Sequence, residues 1–384
     1  MAITLAELQE YIQDHDVKFI KFSFCDVFGH QKIISVLPSV LPRALEQGIA
    51  VDASRVEGFY KPGDRELFLF PDTDTISLLP WRPSHGRVAR FYCHLQTEDG
   101  EPFAQDGRKI LRDAVRYVRK RGLRVNFGAE NDFYLFRTGE EGEPTDTPFD
   151  SAGFLDEAPE DKGEDVRRDI CLTLEEMGIE PQYSQHISGP GQNRIDFAPG
   201  PALPCADNVI TFRSVVKMMA ARSGLWATFS PKPLLEEAGN GFRIAMRPTK
   251  DGEPCADAFL AGILQRFLEM QVFFAPQEES YQRLGTFGAP DSLSWADTGR
   301  GSLLRRKAGG RIELSAADGA ANPYLCFALL LYAGVQGVEQ GLALQPASGE
   351  PLARSLRKAQ ARCRESQFLR ELLPQEILRA YAGS

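Results

Sequence analysis

No apolar run in these 384 residues approaches the roughly 18–20 needed to cross a bilayer, which argues against a helical membrane protein. The most apolar stretch, LCFALLLYAGV (residues 325–335), reads as a buried helix. No CxxC pair occurs. The seven cysteines (25, 93, 171, 205, 255, 326 and 363) are scattered and odd in number, and the N-terminus is not signal-like. That pattern suggests reduced thiols in a cytoplasmic protein and no disulfide framework. Positive charge is in deficit: the net charge of −9 argues against a nucleic-acid partner or an anionic membrane surface. RYVRKRGLR (116–124) is basic, but reads as the solvated face of a helix. There is no internal repeat, and no Ser-His-Asp or Cys-His set with interpretable local spacing. His15, His30, His85 and His94 show no cluster spacing, and His186 reads as a hydrogen-bonded core histidine in preference to a ligand.

What is present is ordinary for a globular chain, 43% hydrophobic and 25% charged, and long enough for two or more cores. ITLAELQEYIQDHD opens with Thr4 as an N-cap and apolar residues at helical spacing. VKFIKFSFCDVFG and QKIISVLP alternate about a Gly-His turn and predict a hairpin. PSVLPRALEQG predicts a short helix ended by glycine, and RELFLFPDTDTISLLPW and GRVARFYCHLQT predict further strands. Residues 1–97 thus form a small sheet-rich domain. Over 98–384 longer helices alternate with strands. TGEEGEPTDTPFDSAG (138–153) reads as an insertion loop, and the segment from Leu352 closes the chain as two amphipathic helices.

One strand raises a chemical question. In GAENDFYLF (128–136), alternation puts Glu130 and Asp132 on one face and Phe127, Phe133 and Leu135 on the other. Two like charges on a buried strand repel, and a divalent metal is the usual reason to keep them.

Several blocks in order resemble bacterial-type glutamine synthetase: VDASRVEGF (51–59), FLFPDTDTISLLPW, GAENDFYLF, GPGQNRIDF (189–197), ATFSPKP, GNGFRIAM (239–246), SYQRL and RIELSAADGAANPYL (311–325). The resemblance covers nearly the whole chain. It implies an α+β fold, with a β-grasp-like N-terminal domain and a catalytic domain built on a curved antiparallel sheet lined by helices. A ring homo-oligomer, in which the neighbour supplies the Asp52 loop, is also implied. So is a reaction in which ATP activates a small carboxylate or amino-acid-like ligand to an acyl phosphate that an amine attacks, with Mg²⁺ clamping the phosphates. By resemblance, Glu130, Asp132 and Glu313 stand at metal-ligand positions. Asp52 and Arg300 fall at catalytic ones, and Asn240, Gly241, Arg283 and Arg305 at substrate-side ones.

The departures are concentrated on the metals. Where the family has acids this chain has Ile187 and Arg194, its metal-binding histidine is Arg243, and its flap glutamate is Gly288. Guanidiniums pair well with carboxylates, so Arg194 and Arg243 are expected beside Glu130, Asp132 and Glu313, where cations sat. ATP and Mg²⁺ are implied by resemblance, but the ligand losses count against the metal. The expectation is a pseudoenzyme that binds a small molecule or acts through assembly or regulation. The alternative is an active ATP-dependent carboxylate–amine ligase with altered substrate. A third option is metal-free transfer with Asp52 as base.

Overall fold

The computed structural model describes residues 3–59, 66–82, 85–299 and 301–383, so Arg300 lies outside the described residues. The chain forms two compact units, one of residues 1–110 with 176–178, the other of 111–175 with 179–384.

The first unit contains α1 (Leu5–Asp14), β1 (Val17–Cys25), β2 (Gln31–Val36), α2 (Leu41–Gln47), β3 (Ile49–Val51), β4 (Leu67–Pro71), β5 (Ser77–Leu78) and β6 (Arg87–Thr97). The Thr4 cap is a full capping box with Glu7. The predicted hairpin is β1–β2, and its turn is closed by the Asp26 carboxylate, which accepts from the Phe28 and His30 amides at 3.0 and 2.9 Å. Sheet order is β2-β1-β6-β4-β3, with β1 and β6 parallel and β5 also on β6.

Helix α3 (Gly107–Arg119) leads into the second unit. Its sheet contains β7 (Leu123–Thr138), β8 (Pro144–Pro148), β9 (Pro181–His186), β10 (Gln192–Pro201), β11 (Leu225–Thr228), β12 (Phe242–Lys250), β13 (Glu253–Pro254), β14 (Trp295–Ala296), β15 (Leu304–Lys307) and β16 (Arg311–Leu314). The order is β14-β15-β16-β12-β7-β10-β9, antiparallel except for the parallel β14–β15 pair, with β8 and β11 also on β7. Helices α4 (Glu164–Glu176), α5 (Ala202–Arg222), α6 (Ala256–Phe274), α7 (Glu278–Arg283), α8 (Pro323–Glu339), α9 (Leu356–Glu365), α10 (Gln367–Leu372) and α11 (Gln375–Ala382) complete it.

Two details correct the sequence reading. The 138–153 insertion is not all loop, because Pro144–Pro148 pairs with β7. The C-terminal segment makes three helices: Ser366 caps α10 with its hydroxyl, and Pro374 stands at the start of α11.

The apolar stretch 325–335 is the buried centre of α8, packed on α6. The two helices approach backbone to backbone at glycines. A Cβ on Gly337 would lie 2.2 Å from the Ala258 carbonyl oxygen and 2.6 Å from the Gly262 nitrogen, and no flexible side chain is there to yield. Gly337→Ala is therefore expected to cost about 1–3 kcal/mol through overpacking. Urea unfolding monitored by circular dichroism measures it, and an unchanged midpoint would show that the helices can separate at no cost.

No helix among the described residues is long and apolar enough to cross a membrane. All seven cysteines are free thiols.

Candidate functional site

Strand β7 lies at the centre of the sheet, between β12 and β10, and register decides which side chains meet. Glu130 is directly opposite Arg243 on β12, Asp132 is opposite Arg194 on β10, and Glu313 on β16 is opposite Arg305 on β15. Each of the three acids thus has an arginine as a cross-strand neighbour, the arrangement in which opposite charges help a sheet most.

The side chains complete what the register begins. Arg194 donates bidentately to Asp132, Nε to Oδ1 at 2.6 Å and Nη2 to Oδ2 at 3.1 Å, and its Nη1 lies 3.7 Å from Glu130 Oε2. Arg243 Nη1 donates to the same Glu130 oxygen at 3.3 Å. Arg305 Nη2 is 2.6 Å from Glu313 Oε2, and Arg311 Nη2 bridges Glu313 Oε1 at 3.0 Å and Glu130 Oε1 at 3.5 Å. Four guanidiniums therefore face three carboxylates. Burial works against the charge on Arg194, yet the carboxylates of Asp132, Glu130 and Asp196 together outweigh it and hold the guanidinium pKa above its ordinary value.

These residues do not fit Mg²⁺. The ion needs about six oxygen ligands in near-octahedral array. Here the carboxylate oxygens already face cations, and bringing in a divalent ion would require displacing at least Arg194 from its bidentate pair. The described groups of His, Cys, Asp and Glu with ligand-like spacing are Asp26/His30/Glu57 and Asp150/Asp161/His186, neither of which includes Glu130, Asp132 or Glu313.

The second of those groups is a structural knot. His186 Nε2 faces Asp150 Oδ1 at 3.0 Å, while Nδ1 lies 2.9 and 2.8 Å from the carbonyls of Gly153 and Ile187. Both ring nitrogens meet only acceptors, so the imidazolium form satisfies them all. Burial opposes that charge, but Asp150, the Ile187 carbonyl and Asp161 together outweigh it and raise the His186 pKa. Asp161 is bound on both oxygens by Arg167, which also donates to Asn193 Oδ1 at 2.6 Å. The knot ties residues 150–163 to β9 and β10, in keeping with the reading of His186 as a core histidine.

The remaining expected residues have identifiable places. Ile187 is buried. Arg283 is buried, and donates to the carbonyls of Ser315, Ala316 and Ala317 at 2.9, 3.3 and 2.9 Å. The Asn240 amide donates to the Thr228 and Ser230 carbonyls and its oxygen accepts from Gln192, while the Gly241 N–H is taken by Asp132 Oδ2 at 3.0 Å. Gly239 is required by close approach, since a Cβ there would lie 2.3 Å from the Pro231 carbonyl and 2.8 Å from Arg283 Cγ. Asp52, in the first unit, is exposed. It accepts from the Ser54 hydroxyl and amide at 2.5 and 3.0 Å and from Arg55 Nε at 3.1 Å, and the Ser54 hydroxyl chiefly lowers its pKa.

Sequence reasoning passed over two residues. Asp196 lies cross-strand from Glu130, and its Oδ1 is buried with no hydrogen-bond partner. Burial and the Glu130 charge push its carboxyl up to about 7. Arg311 completes the bridge between Glu130 and Glu313. Strand alternation carried both signals, because Asp196 shares a face with Arg194 and Arg311 shares one with Glu313.

Two cavities adjoin this charged lattice. One, of about 70 Å³, is lined by Asp132, Arg194, Arg243 and Arg283 with Phe154, Ile187, Gly288 and the segment 286–289. The other, of about 150 Å³, is lined by Glu130, Asp196 and Arg311 together with Tyr183, Phe197, Met246 and Arg247.

The raised pKa values of His186 and Asp196 have the same sign of effect. Each group holds its proton more tightly folded than unfolded, so each contributes stability at low pH that is lost as pH rises. For Asp196 the loss runs from about 4 to about 7, and for His186 it starts near 6.5 and continues upward through the raised value. Thermal stability is expected to fall as pH rises above 6.5, and His186→Gln should flatten that fall. Parallel melting-temperature profiles for the two proteins would count against the charged imidazolium.

The glutamine synthetase β-grasp domain model matches residues 16–98 and the glutamine synthetase catalytic domain model matches 104–384. The chain belongs to the glutamine synthetase family. It is 38% identical over 357 residues to the glutamine synthetase of Clostridium saccharobutylicum, covering 88% of this chain and 81% of that one. The enzyme of Methanosarcina mazei is 36% identical over 387 residues, covering 96% and 86%. Among solved structures, a GmaS–ADP complex superposes with a TM-score of 0.89 at 25% identity, covering 98% of this chain and 94% of that one. Ligand-free GmaS superposes with a TM-score of 0.88 at the same identity.

Proposed function

We propose that the chain is an ATP-dependent carboxylate–amine ligase of altered substrate, with fixed guanidiniums standing where its relatives use metal. The observation that carries this reading is the meeting of two chemically different cavities on one charged lattice. The 150 Å³ slot offers aromatic and apolar walls of a size that accepts a single ring, with Arg247 and Arg311 at its edge, as a nucleotide requires. The 70 Å³ cavity is lined by three arginines against one carboxylate, a positive balance that suits a substrate anion, with Arg243 the least engaged of the three. The GmaS–ADP complex supports a nucleotide in this fold.

In the reaction so assigned, a substrate carboxylate oxygen attacks the γ-phosphorus and ADP leaves. An amine then attacks the acyl carbon, and inorganic phosphate leaves with the bonding pair. Arginines can stabilise the charge on a transferring phosphoryl group. Asp52 of a neighbouring subunit is assigned as the base that takes the amine proton; the Ser54 hydroxyl that lowers its pKa keeps it ionised but makes it a weaker base. Measuring ADP release against panels of acids and amines tests the reading. ADP that appears only when both are present supports it, and silence across a broad panel would remove it.

A second reading, binding without turnover, is favoured by one contact. The bidentate Arg194–Asp132 pair neutralises the acid that phosphoryl transfer would need to keep available for a cation. Titration calorimetry separates the two, since a binder takes up the carboxylate without releasing ADP. For either reading we propose a cytoplasmic homo-oligomeric ring, as the family suggests. A monomer by light scattering would reject the ring.

A further inference from the structure

We propose that the 70 Å³ cavity selects a carboxylate attached to an apolar, ring-bearing body and excludes a zwitterionic amino acid. This rests on the reading of that cavity as the carboxylate site. Its floor is cationic, because Arg194, Arg243 and Arg283 line it against the single carboxylate of Asp132. Arg243 gives Glu130 one nitrogen, and a guanidinium has five N–H donors, so it has capacity for an anion.

The walls have the opposite character. Ile187 is buried where the family has an acid, and Phe154 and Phe287 line the same cavity with large exposed faces, 48% and 63% accessible. Phe287 also holds a left-handed backbone (φ 46°), as does Leu155 next to Phe154 (φ 63°). Non-glycine residues adopt that region at a cost, and such strain gathers at ligand sites. Lys232 Nζ stands 4.6 Å from the Phe287 ring centre and helps to fix the ring.

An amino-acid substrate would bring an ammonium group, which needs an acceptor. The one carboxylate in the lining, Asp132, already takes two bonds from Arg194 and one from the Gly241 amide. The Gln192 side chain is likewise engaged, accepting from Gly189 and donating to Gly239. An ammonium would therefore enter among three guanidiniums with only neutral groups, such as Ser188, Thr286 and Ser315, and no free acid to receive it. A carboxylate head fits a volume of about 70 Å³, and a larger apolar body would lie along the exposed faces of Phe154 and Phe287.

The test is calorimetric titration of the full chain, without nucleotide or amine, with phenylacetate, acetate, glutamate and the neutral phenylacetamide. Phenylacetate is expected to bind at least about tenfold more tightly than acetate or glutamate, the scale on which an apolar wall discriminates. Phenylacetamide is expected not to bind. Phe287→Gly, which suits the left-handed backbone and so keeps the fold, should reduce the preference over acetate to less than about threefold. Glutamate binding as tightly as phenylacetate, phenylacetamide matching phenylacetate, or no carboxylate binding at millimolar concentration would each overturn the proposal. Because ATP and amine are absent, failure of ADP release leaves the phenylacetate result standing. Glutamate-dependent ADP release would uphold the ligase and overturn this inference.

Discussion

Arg194→Ala is expected to destabilise the protein by about 3–5 kcal/mol, the usual cost of removing one partner from a buried ion pair. The magnitude applies because both sides of the pair are shielded: the side chains of Arg194 and Asp132 are only 12% and 7% exposed. Truncation leaves Asp132 with the Gly241 amide as its remaining donor of the three, and leaves Glu130 to Arg243 and Arg311. Arg194→Lys should recover only part of the loss, since a point charge cannot make the two parallel bonds to Oδ1 and Oδ2. The double change Arg194→Met with Asp132→Asn should recover more, because no ionised group is then left unpaired. Urea unfolding of the four proteins measures this ordering. An Arg194→Ala midpoint within error of the parent would mean that water or another cation already serves Asp132, and the lattice would lose its structural role.

Much of this was legible in the chain, for reasons that differ by level. The fold could be read because the Thr4 cap, the Gly48 stop and the alternation read in β1 and β2 are local signals, and because ordered blocks matched one family along nearly the whole chain. The acid–arginine meeting was legible in part. Alternation put Glu130 and Asp132 on one face, and the family positions suggested that Arg194 and Arg243 replace cations. What sequence could not supply was register. Arg305 was expected on the substrate side, and the pairing that β15 gives it with Glu313 could not be read from the chain. A one-residue slip would have turned it to the other face. Asn240 was read as a ligand-side residue by resemblance; that its side-chain amide holds the Thr228 and Ser230 carbonyls was not legible in the chain. Proline-containing strand β8 was missed because pairing with β7 overrode local preference, whereas the C-terminal breaks carried local signals, the Ser366 cap and Pro374, that the sequence reading passed over.

The same lattice makes a strong expectation in the opposite direction. Ile187→Glu, Arg194→Glu and Arg243→His together return the three family ligand types to their positions. Without metal, this triple variant places two added carboxylates beside Glu130, Asp132 and Asp196 and removes two of the four guanidiniums. Like-charge repulsion should lower stability by several kcal/mol, because a buried charge without a partner costs about 3–5 kcal/mol. Adding Mn²⁺ or Mg²⁺ should reverse much of that loss. An ion at a hundred times its dissociation constant stabilises by about 2.7 kcal/mol, or roughly 5 °C for a unit of this size. The parent chain should show no comparable shift, since its carboxylates are already neutralised by fixed cations that a soluble ion must displace. Differential scanning calorimetry with and without metal decides between the two states. If the parent is stabilised as strongly as the triple variant, the arginines yield to metal readily, and the chain would be a metal-dependent ligase like its relatives.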